Sequence, residues 1–277
     1  QLNFLFRNDN QKYTDVAIAS GVAANSHGVP TGSMHGSIGD IDGDGLIDLL
    51  VTDLRYGAMY RNIGNGLFED ITEKSGIASA FAGKGAWGAA FFDYDNDGDL
   101  DIFSANGTAE ELILQHPVLL ENDGNGRFKD IGQEKSNYFS TKRSARAAAV
   151  WDYDNDGDLD IIVSHIDLQA TATLLRNDGG NSNHWLGLKL IGKNGPASAI
   201  GAKVIVKIGD KKQVYVNQNA TSYLSYNDPR VHIGLGNNNK IDQIEIHWSN
   251  GKKEIYENPQ IDRYLTIKEE IGILKKE

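Results

Sequence analysis

The first 180 residues alternate short apolar runs with turns that are rich in glycine, asparagine and aspartate. In the clearest unit this pattern predicts four short strands, at residues 37–40, 47–52, 58–61 and 67–71. The apolar runs contain β-branched and aromatic residues, and the Gly- and Asn-rich connections suit tight turns between antiparallel strands. The pattern therefore predicts an all-β fold built from small units of four strands.

Three of the connections carry the same acidic pattern, D-x-D-x-D-G-x-x-D, starting at Asp40, Asp93 and Asp152. Carboxylates at every second position repel one another in water, so the pattern makes sense mainly when a cation lies among them. A tight loop can turn the side chains at positions 1, 3, 5 and 9 toward one point, and the carbonyl at position 7 adds an oxygen. Glycine at position 6 permits the sharp turn.

Calcium takes about 6 to 8 oxygen ligands, so five protein groups and water would complete its shell in each loop. The sequence thus predicts three calcium sites, in which Leu46, Asp99 and Asp158 would bind through their backbone carbonyls. The predicted ligands are Asp40, Asp42, Asp44, Leu46 and Asp48 in the first loop, Asp93, Asp95, Asp97, Asp99 and Asp101 in the second, and Asp152, Asp154, Asp156, Asp158 and Asp160 in the third.

An EF-hand and a solvated turn are the two alternatives to such a calcium loop. An EF-hand requires a bidentate Glu at position 12 and a helix on each side, but position 12 is Val51, Ser104 or Val163 and the residues that follow the loops are strand-like. Solvated acidic turns would explain a single copy. Three copies with the same five positions filled favour calcium.

The 277 residues include 27 lysines and arginines against 38 acids, a formal net charge of −11, which argues against nucleic acid as a partner. No run approaches the ~18 apolar residues of a membrane span. The absence of cysteine excludes disulfides, thiolate metal sites and cysteine nucleophiles. Because calcium sites with these ligands commonly need extracellular calcium concentrations, we expect a secreted, extracellular or periplasmic protein.

A second signature follows the acidic loops. It reads R-N-I-G-N-G-L-F-E-D from Arg61 and E-N-D-G-N-G-R-F-K-D from Glu121, with a shorter form from Arg7 and only its start at Arg176. Four strands in a repeat of about 40–60 residues is typical of a propeller blade.

The run G-D-x-D-G-D-G-x-x-D-L, with its flanking strands, resembles the FG-GAP/VCBS repeat known from integrin α-subunit propellers and many secreted bacterial proteins. The resemblance implies a seven-bladed propeller in which Asp40, Asp42, Asp44 and Asp48, and their counterparts, hold calcium between the first two strands of a blade. The chain supplies two whole blades, most of a third and the last two strands of another, about three and a half in all. We expect other blades of a longer chain, or a second chain in a homo-oligomer, to cover the open sheet flanks.

From residue 183 the acidic motif disappears and alternating strands are predicted at residues 185–190, 203–208, 213–217, 231–235, 241–248 and 264–267. The runs A-I-G-A-K-V from Ala199, R-V-H-I-G-L-G from Arg230 and I-E-I-H-W-S-N-G from Ile244 resemble the ASPIC/UnbV domain, which typically follows FG-GAP-type blades. We therefore expect propeller blades over residues 1–182, a small, sandwich-like all-β domain over residues 183–270, and a tail over residues 271–277.

No catalytic constellation stands out, because the seven histidines are scattered and a carboxylate held by calcium makes a poor general acid. Trp87 and Trp151 are expected to pack between blades. The favoured interpretation is a secreted, calcium-binding, non-catalytic scaffold that presents loops to a protein or glycan partner. The alternative is an extracellular polysaccharide lyase or hydrolase, since calcium propellers also host such chemistry.

Overall fold

The computed structural model describes residues 2–108, 112–167, 171–218 and 220–274. Short antiparallel strands dominate them, and the α-helices are single turns. The strands before residue 180 are β1 (Phe6–Asp9), β2 (Lys12–Asp15), β3 (Ser33–Gly39), β4 (Asp48–Asp53), β5 (Ala58–Asn62), β6 (Phe68–Asp70), β7 (Ala86–Phe92), β8 (Asp101–Asn106), β9 (Val118–Asn122), β10 (Phe128–Asp130), β11 (Ala145–Trp151), β12 (Asp160–His165) and β13 (Thr173–Leu175). The helical turns are α1 (Ala17–Ser20), α2 (Ile77–Ala80), α3 (Gly132–Lys135), α4 (Asn137–Ser140) and a 3-10 turn at Gly180–Ser182.

These strands form four antiparallel sheets in chain order. β1 and β2 make a two-stranded hairpin, β3 to β6 and β7 to β10 make two four-stranded meanders, and β11 to β13 make a three-stranded sheet. The architecture is thus the partial all-β propeller that the sequence predicted. We number the four sheets blade 0 to blade 3 in chain order.

Successive residues of a strand point to opposite faces of the sheet. In an inner blade both faces are buried, because other parts of the chain pack on each side. In β4, Leu50 packs into the cluster between blades 1 and 2, whereas Val51 packs into a cluster with Leu5 and with Ala17 of α1. Their exposed fractions are 0% and 9%. This double burial explains why the middle strands are almost continuously apolar. The first strands of neighbouring blades lie close together, so β3, β7 and β11 line the propeller axis.

The remaining strands form two four-stranded sheets. These strands are β14 (His184–Ile191), β15 (Lys203–Ile208), β16 (Lys211–Val216), β17 (Val231–Gly236), β18 (Gln243–His247), β19 (Lys253–Glu257), β20 (Arg263–Lys268) and β21 (Gly272–Leu274). One sheet has the order β17-β14-β20-β21 and the other the order β16-β15-β18-β19. Among the described pairings, only β14 and β20 run parallel. One apolar core that includes Leu188, Val204, Ile233 and Ile246 lies between the two sheets, giving a sandwich.

The structure adds two strands that the pattern did not predict. β19 has charged side chains at three of its five positions, and β21 lies in the segment expected to be a tail, where it pairs with β20. Residues 275–277 of that segment lie outside the described part of the chain. None of the helices in the described ranges has the length and apolar character needed to span a bilayer.

Candidate metal centres

Each acidic loop joins the first strand of a blade to the second. The side chains at positions 1, 3 and 9 converge, and in each group one carboxylate oxygen per residue lies within 4.8 Å of the others. The three groups are Asp40, Asp42 and Asp48, then Asp93, Asp95 and Asp101, then Asp152, Asp154 and Asp160. Three of the five predicted ligands therefore meet in every loop.

The position-1 carboxylate is held by the backbone of its own loop. In the first loop, the N–H of Gly45 donates to Asp40 Oδ2 over 3.0 Å. Gly45 has a φ of +87°, a left-handed conformation that favours glycine. The same bond, 2.9 Å long, joins Gly98 to Asp93 and Gly157 to Asp152.

The position-9 carboxylate connects the loop to the third strand of the blade. In the second loop, Asp101 accepts hydrogen bonds from the N–H groups of Tyr94, at 3.1 Å, and Asn122, at 2.8 Å. The corresponding bonds link Asp48 to Ile41 and Asn62, and Asp160 to Tyr153 and Asn177. These fixed donors orient each carboxylate toward the centre of its loop.

Burial makes the negative charge of these carboxylates costly. Burial raises the pKa of Asp40 to about 7 and the pKa of Asp48 to about 6, with neighbouring aspartates acting in the same direction. Burial likewise raises the pKa of Asp160 to about 6 and holds the pKa values of Asp93 and Asp101 well above their ordinary range. A cation in the loop would remove this penalty, because it favours the ionised form.

Within the converging groups, two buried carboxylate oxygens have no hydrogen-bond partner in the described protein. They are Asp40 Oδ1 and Asp95 Oδ1. A buried polar atom without a partner is uncommon and costs free energy. Hard oxygen donors of this kind suit a hard divalent cation, so the residues present fit the predicted metal.

Positions 5 and 7 lie outside the converging groups. The carboxylates at position 5 accept hydrogen bonds from the position-7 N–H, in the pairs Asp44–Leu46, Asp97–Asp99 and Asp156–Asp158. The Asp158 side chain is itself fully buried, with an exposed fraction of 0%. Ligation through these positions stays a prediction.

The asparagine at position 2 of the second signature connects neighbouring blades, a role that the sequence did not indicate. Asn122 Nδ2 donates to the carbonyl of Leu100 in its own blade and to that of Ile41 in the acidic loop of the preceding blade, at 3.0 and 2.8 Å. Asn177 Nδ2 donates in the same way to Tyr94 O, at 2.6 Å. The repetition of this asparagine was the signal that could have indicated the link.

The C-terminal domain lies against the third acidic loop. The hydroxyl of Tyr264 donates to Asp152 Oδ2, and Arg230 donates to the carbonyl of Asp152 and to Asn155 Oδ1. The guanidinium of Arg230 also lies 3.8 Å from the centroid of the Tyr264 ring. The ring of Trp185 covers Gly157 so closely that a Cβ there would collide with it.

The second loop is covered in a similar way. The N–H of Gly236 donates to Asn96 O over 2.7 Å, and His232 Nε2 lies 2.5 Å from Asn96 Oδ1. Gln213 Nε2 donates to Gly98 O over 3.0 Å. Burial lowers the pKa of His232 to about 3, so this imidazole is neutral at physiological pH. No motif in the sequence indicated that the second domain contacts the acidic loops.

A long connection of the C-terminal domain, between β16 and β17, lies along the propeller axis. Ser37 Oγ donates to Thr221 O at 2.8 Å, and the ring of Tyr223 packs edge-on against Trp87, with centroids 5.0 Å apart. The N–H of Val150 donates to Asn227 Oδ1 over 3.0 Å. One segment thus contacts β3, β7 and β11.

The expectation that both tryptophans pack between blades is confirmed for Trp87 and wrong for Trp151. Trp87 lies under the guanidinium of Arg146 in the next blade, 4.5 Å from the ring centroid, and also packs against Tyr223 of the axial connection. Trp151 is 52% exposed, because the outward face of blade 3 has no further blade against it among the described residues.

Comparison with known families identifies the class. The chain matches the family described as FG-GAP-like repeat over residues 40–104 and 109–163, and ASPIC and UnbV over residues 192–273. The three acidic loops fall within the first match, and the second covers the sandwich except β14 and the last residue of β21. The chain is therefore an FG-GAP-like repeat protein with a C-terminal ASPIC and UnbV domain.

Among curated proteins, the chain is similar to cartilage acidic protein 1. Identity is 26% over 270 residues with the mouse (Mus musculus) protein, covering 90% of this chain and 38% of that protein. For the human (Homo sapiens) protein, identity is 27% over 266 residues, covering 90% and 37%. For the Xenopus tropicalis protein, it is 26% over 255 residues, covering 70% and 38%. The chain thus spans less than two fifths of the length of these relatives.

Two solved structures show weaker similarity. A lectin of Agrocybe aegerita that recognises non-reducing terminal N-acetylglucosamine aligns with a TM-score of 0.32 and 19% identity, over 64% of this chain and 47% of the lectin. The V. cholerae biofilm matrix protein Bap1 aligns with a TM-score of 0.34 and 14% identity, over 92% and 53%. Both TM-scores are low, so these likenesses carry no weight for function.

Proposed function

We propose that this protein is a secreted, calcium-binding scaffold that binds a protein or glycan partner and does not catalyse a reaction. The observation that carries the proposal is the threefold repetition of one cluster geometry. In each loop, three carboxylates converge and the position-1 and position-9 groups are fixed by backbone donors. A pattern that recurs in three blades is best explained by a shared ligand.

Calcium fits these loops better than magnesium does. Magnesium usually keeps several water molecules and binds through one or two carboxylates, whereas calcium accepts many protein oxygens in flexible geometry. Asp93 and Asp101 are each only 2% exposed, which leaves little access for a retained water shell. The predicted donor set adds the position-7 backbone carbonyl to the three converging carboxylates, and calcium prefers such a set.

The surroundings of the loops favour a structural role for the ion. Tyr264 and Arg230 cover the third loop, and Gly236, His232 and Gln213 cover the second. A catalytic ion needs an open position for substrate or water, and these contacts restrict access to both loops. This supports the scaffold over the polysaccharide lyase or hydrolase as the primary function.

An extracellular or periplasmic location follows from the same chemistry. Extracellular domains with such sites commonly bind calcium at concentrations that only extracellular fluid provides. The curated relatives take their name from cartilage, which supports this location for the present chain. The relatives are longer than this chain, so the partner bound by the whole protein is part of the proposal.

Calorimetric titration of the metal-free protein tests the calcium proposal directly. We expect close to three calcium ions per chain and weaker binding of magnesium. Saturating calcium should raise the melting temperature by many degrees, since a ligand that binds only the native state stabilises it. A melt that does not change between calcium and chelator would contradict the proposal.

Screening the calcium-loaded protein against glycan and extracellular protein arrays tests the binding role. The alternative function predicts turnover of acidic or neutral polysaccharides, measured as released reducing ends or unsaturated products. Turnover that persists in the purified protein and is lost on substitution outside the acidic loops would favour the enzyme over the scaffold.

A further inference from the structure

Position 4 is glycine in the first acidic loop and asparagine in the other two. The three residues are Gly43, Asn96 and Asn155. All three have a left-handed backbone, with φ of +69°, +58° and +60°, a conformation that glycine and asparagine adopt most readily. The backbone at position 4 is thus alike in the three copies, and the difference between them is the side chain.

Asn96 links the second loop to the third. Its Nδ2 donates to the carbonyl of Gly157 over 2.9 Å, and its Oδ1, which can only accept, lies 2.5 Å from His232 Nε2. Asn96 is 0% exposed, so both ends of its amide are bonded inside the protein. Gly157 is position 6 of the third loop, and its own N–H holds the Asp152 carboxylate. One buried amide of the second loop therefore contacts the residue that orients a predicted ligand of the third.

The bond to the position-6 carbonyl also fixes the peptide group that precedes position 7. In the third loop this peptide joins Gly157 to Asp158. Asn96 donates to its carbonyl, and its N–H donates to the Asp156 carboxylate over 3.0 Å. A peptide that is bonded at both polar atoms cannot rotate without breaking a hydrogen bond. Asn96 therefore restricts the backbone next to position 7, where the sequence predicts a carbonyl ligand, and such restriction lowers the cost of binding.

The junction between the first and second loops obtains the equivalent bond from the C-terminal domain. Gly43 and Gly98 line one groove between these loops, but Gly43 has no side chain to bridge it. Instead, Gln213 of β16 donates from Nε2 to the carbonyl of Gly98, position 6 of the second loop, over 3.0 Å. The N–H of the same peptide donates to the Asp97 carboxylate over 2.8 Å. Gln213 thus takes the place that Asn96 takes at the next junction.

Another link is present at both junctions and so does not distinguish them. Asn122 donates to the Ile41 carbonyl of the first loop, and Asn177 donates to the Tyr94 carbonyl of the second. Both carbonyls belong to position 2 of a loop. The difference between the two junctions is therefore the position-4 side chain and the source of the donor to position 6.

Resting on the proposed calcium-binding function, we infer that Asn96 is a positioning residue that couples calcium binding in the second and third loops, whereas Gln213 adjusts the affinity of the second loop from the C-terminal domain. Filling the third loop fixes Gly157, and part of the entropy cost of ordering Asn96 and its loop is then already met. The coupling is reciprocal, because each ion must raise the affinity for the other by the same factor. One neutral hydrogen bond corresponds to a factor of about 5–10.

Calorimetric titration of calcium into variants with chosen loops disabled measures the coupling. Asp42→Asn, Asp95→Asn and Asp154→Asn each remove the position-3 carboxylate of one loop. Proteins with one of these substitutions give a two-ion association constant, and proteins with two give the constant of the remaining loop. The two-ion constant divided by the product of the two single-loop constants is the coupling factor.

The second and third loops should have a coupling factor about 5–10 times that of the first and second loops. Asn96→Gly, which gives the second loop the residue that the first loop has, should remove this excess. Equal coupling factors at the two junctions, or an excess that survives Asn96→Gly, would overturn the inference while leaving three calcium sites in place. Absence of calcium binding by the wild-type chain would instead contradict the proposed function itself.

A gain of coupling tests the same route without removing a buried side chain. A Cβ at Gly43 would meet no atom within 4 Å, so an asparagine fits there. Gly43→Asn combined with Gln213→Ala gives Gly98 the kind of donor that Gly157 has. In the Asp154→Asn protein, whose first and second loops remain intact, this combination should raise the coupling factor about 5–10-fold. An unchanged factor would count against the position-4 side chain as the coupling element.

Gln213→Ala alone tests the contribution of the C-terminal domain. In the protein whose second loop alone is intact, it should weaken calcium binding about 5–10-fold. Gln218→Ala is the matched control, because Gln218 donates from the same domain to the Ile38 carbonyl of β3, over 2.9 Å, and contacts a strand in place of a loop. This control should lower the melting temperature in chelator and leave the calcium affinity unchanged. Equal losses of affinity in both variants would show that Gln213 acts only through domain docking.

Discussion

Replacing Asp93 by asparagine should separate the cost of burying this carboxylate from its contribution to metal binding. Asp93 is 2% exposed and accepts hydrogen bonds from the N–H groups of Gly98, at 2.9 Å, and Asp97, at 3.1 Å. The asparagine carbonyl oxygen can keep one of these bonds, so the loop should still form. The substitution removes one of the three converging charges of the second loop.

The expected magnitude depends on whether metal is present. Without metal, burial keeps the pKa of Asp93 well above its ordinary range, because desolvation penalises the ionised carboxylate. The neutral amide of Asp93→Asn carries no such penalty, so stability in chelator should fall by no more than about 1 kcal/mol, the net contribution of one hydrogen bond. If removal of the charge weakens calcium binding about 100-fold, the stabilisation by excess calcium falls by about 2.7 kcal/mol. This corresponds to about 5–10 °C in melting temperature for a domain of this size class.

Thermal melts of both proteins, in chelator and in saturating calcium, provide the measurement. Asp93→Asn should melt near the wild-type temperature in chelator and well below it in calcium. Asp210→Asn serves as a control, since Asp210 is an exposed acid of the β15–β16 turn. A variant that loses equal stability in both conditions, or that keeps the full calcium response, would refute the assignment of Asp93 as a metal ligand.

Three further predictions follow from the contacts. Asn122→Ala should lower the free energy of unfolding, measured by urea denaturation, by about 2–4 kcal/mol, because buried carbonyls in two blades lose their hydrogen bond. The matched control Asn62→Ala breaks no link to a preceding blade and should lower it by only about 1 kcal/mol. In chelator, the melting temperature should rise as pH falls from about 7.5 to 5, because the folded-state pKa of Asp40 is raised to about 7 and protonation removes the cost of burying its charge. In saturating calcium, the melting temperature should fall over the same pH range, because protons then compete with the ion for the carboxylate. Arg230→Ala should speed proteolytic separation of the two domains, and exposed Arg263→Ala should not; equal rates would exclude the Arg230 contact as a clamp.

Much of the fold followed from local pattern. The acidic loops, the four-strand units and most strands of the second domain were predicted to within a few residues, because alternation, turn residues and motif spacing are local properties. β19 was not predicted because three of its five residues are charged, which is common in edge strands and hides the apolar pattern. β21 was not predicted because it is only three residues long and follows a turn.

The candidate site was predicted only in part. The spacing identified all three loops, and the structure brings together positions 1, 3 and 9 of each. The link from Asn122 to the loop of the preceding blade was not predicted, because it joins residues 81 positions apart in the chain. The covering of the third loop by Tyr264 and Arg230 joins residues more than 70 positions apart and left no local pattern.

Spacing along the chain was enough to specify short strands, tight glycine turns and clustered acids, because each depends on neighbours a few residues away. Three-dimensional packing alone placed the second domain on the acidic loops, ran its long connection along the propeller axis and left Trp151 facing solvent. Those outcomes depend on which surfaces meet, and burial between distant segments is a property of the folded chain that no short stretch of residues encodes.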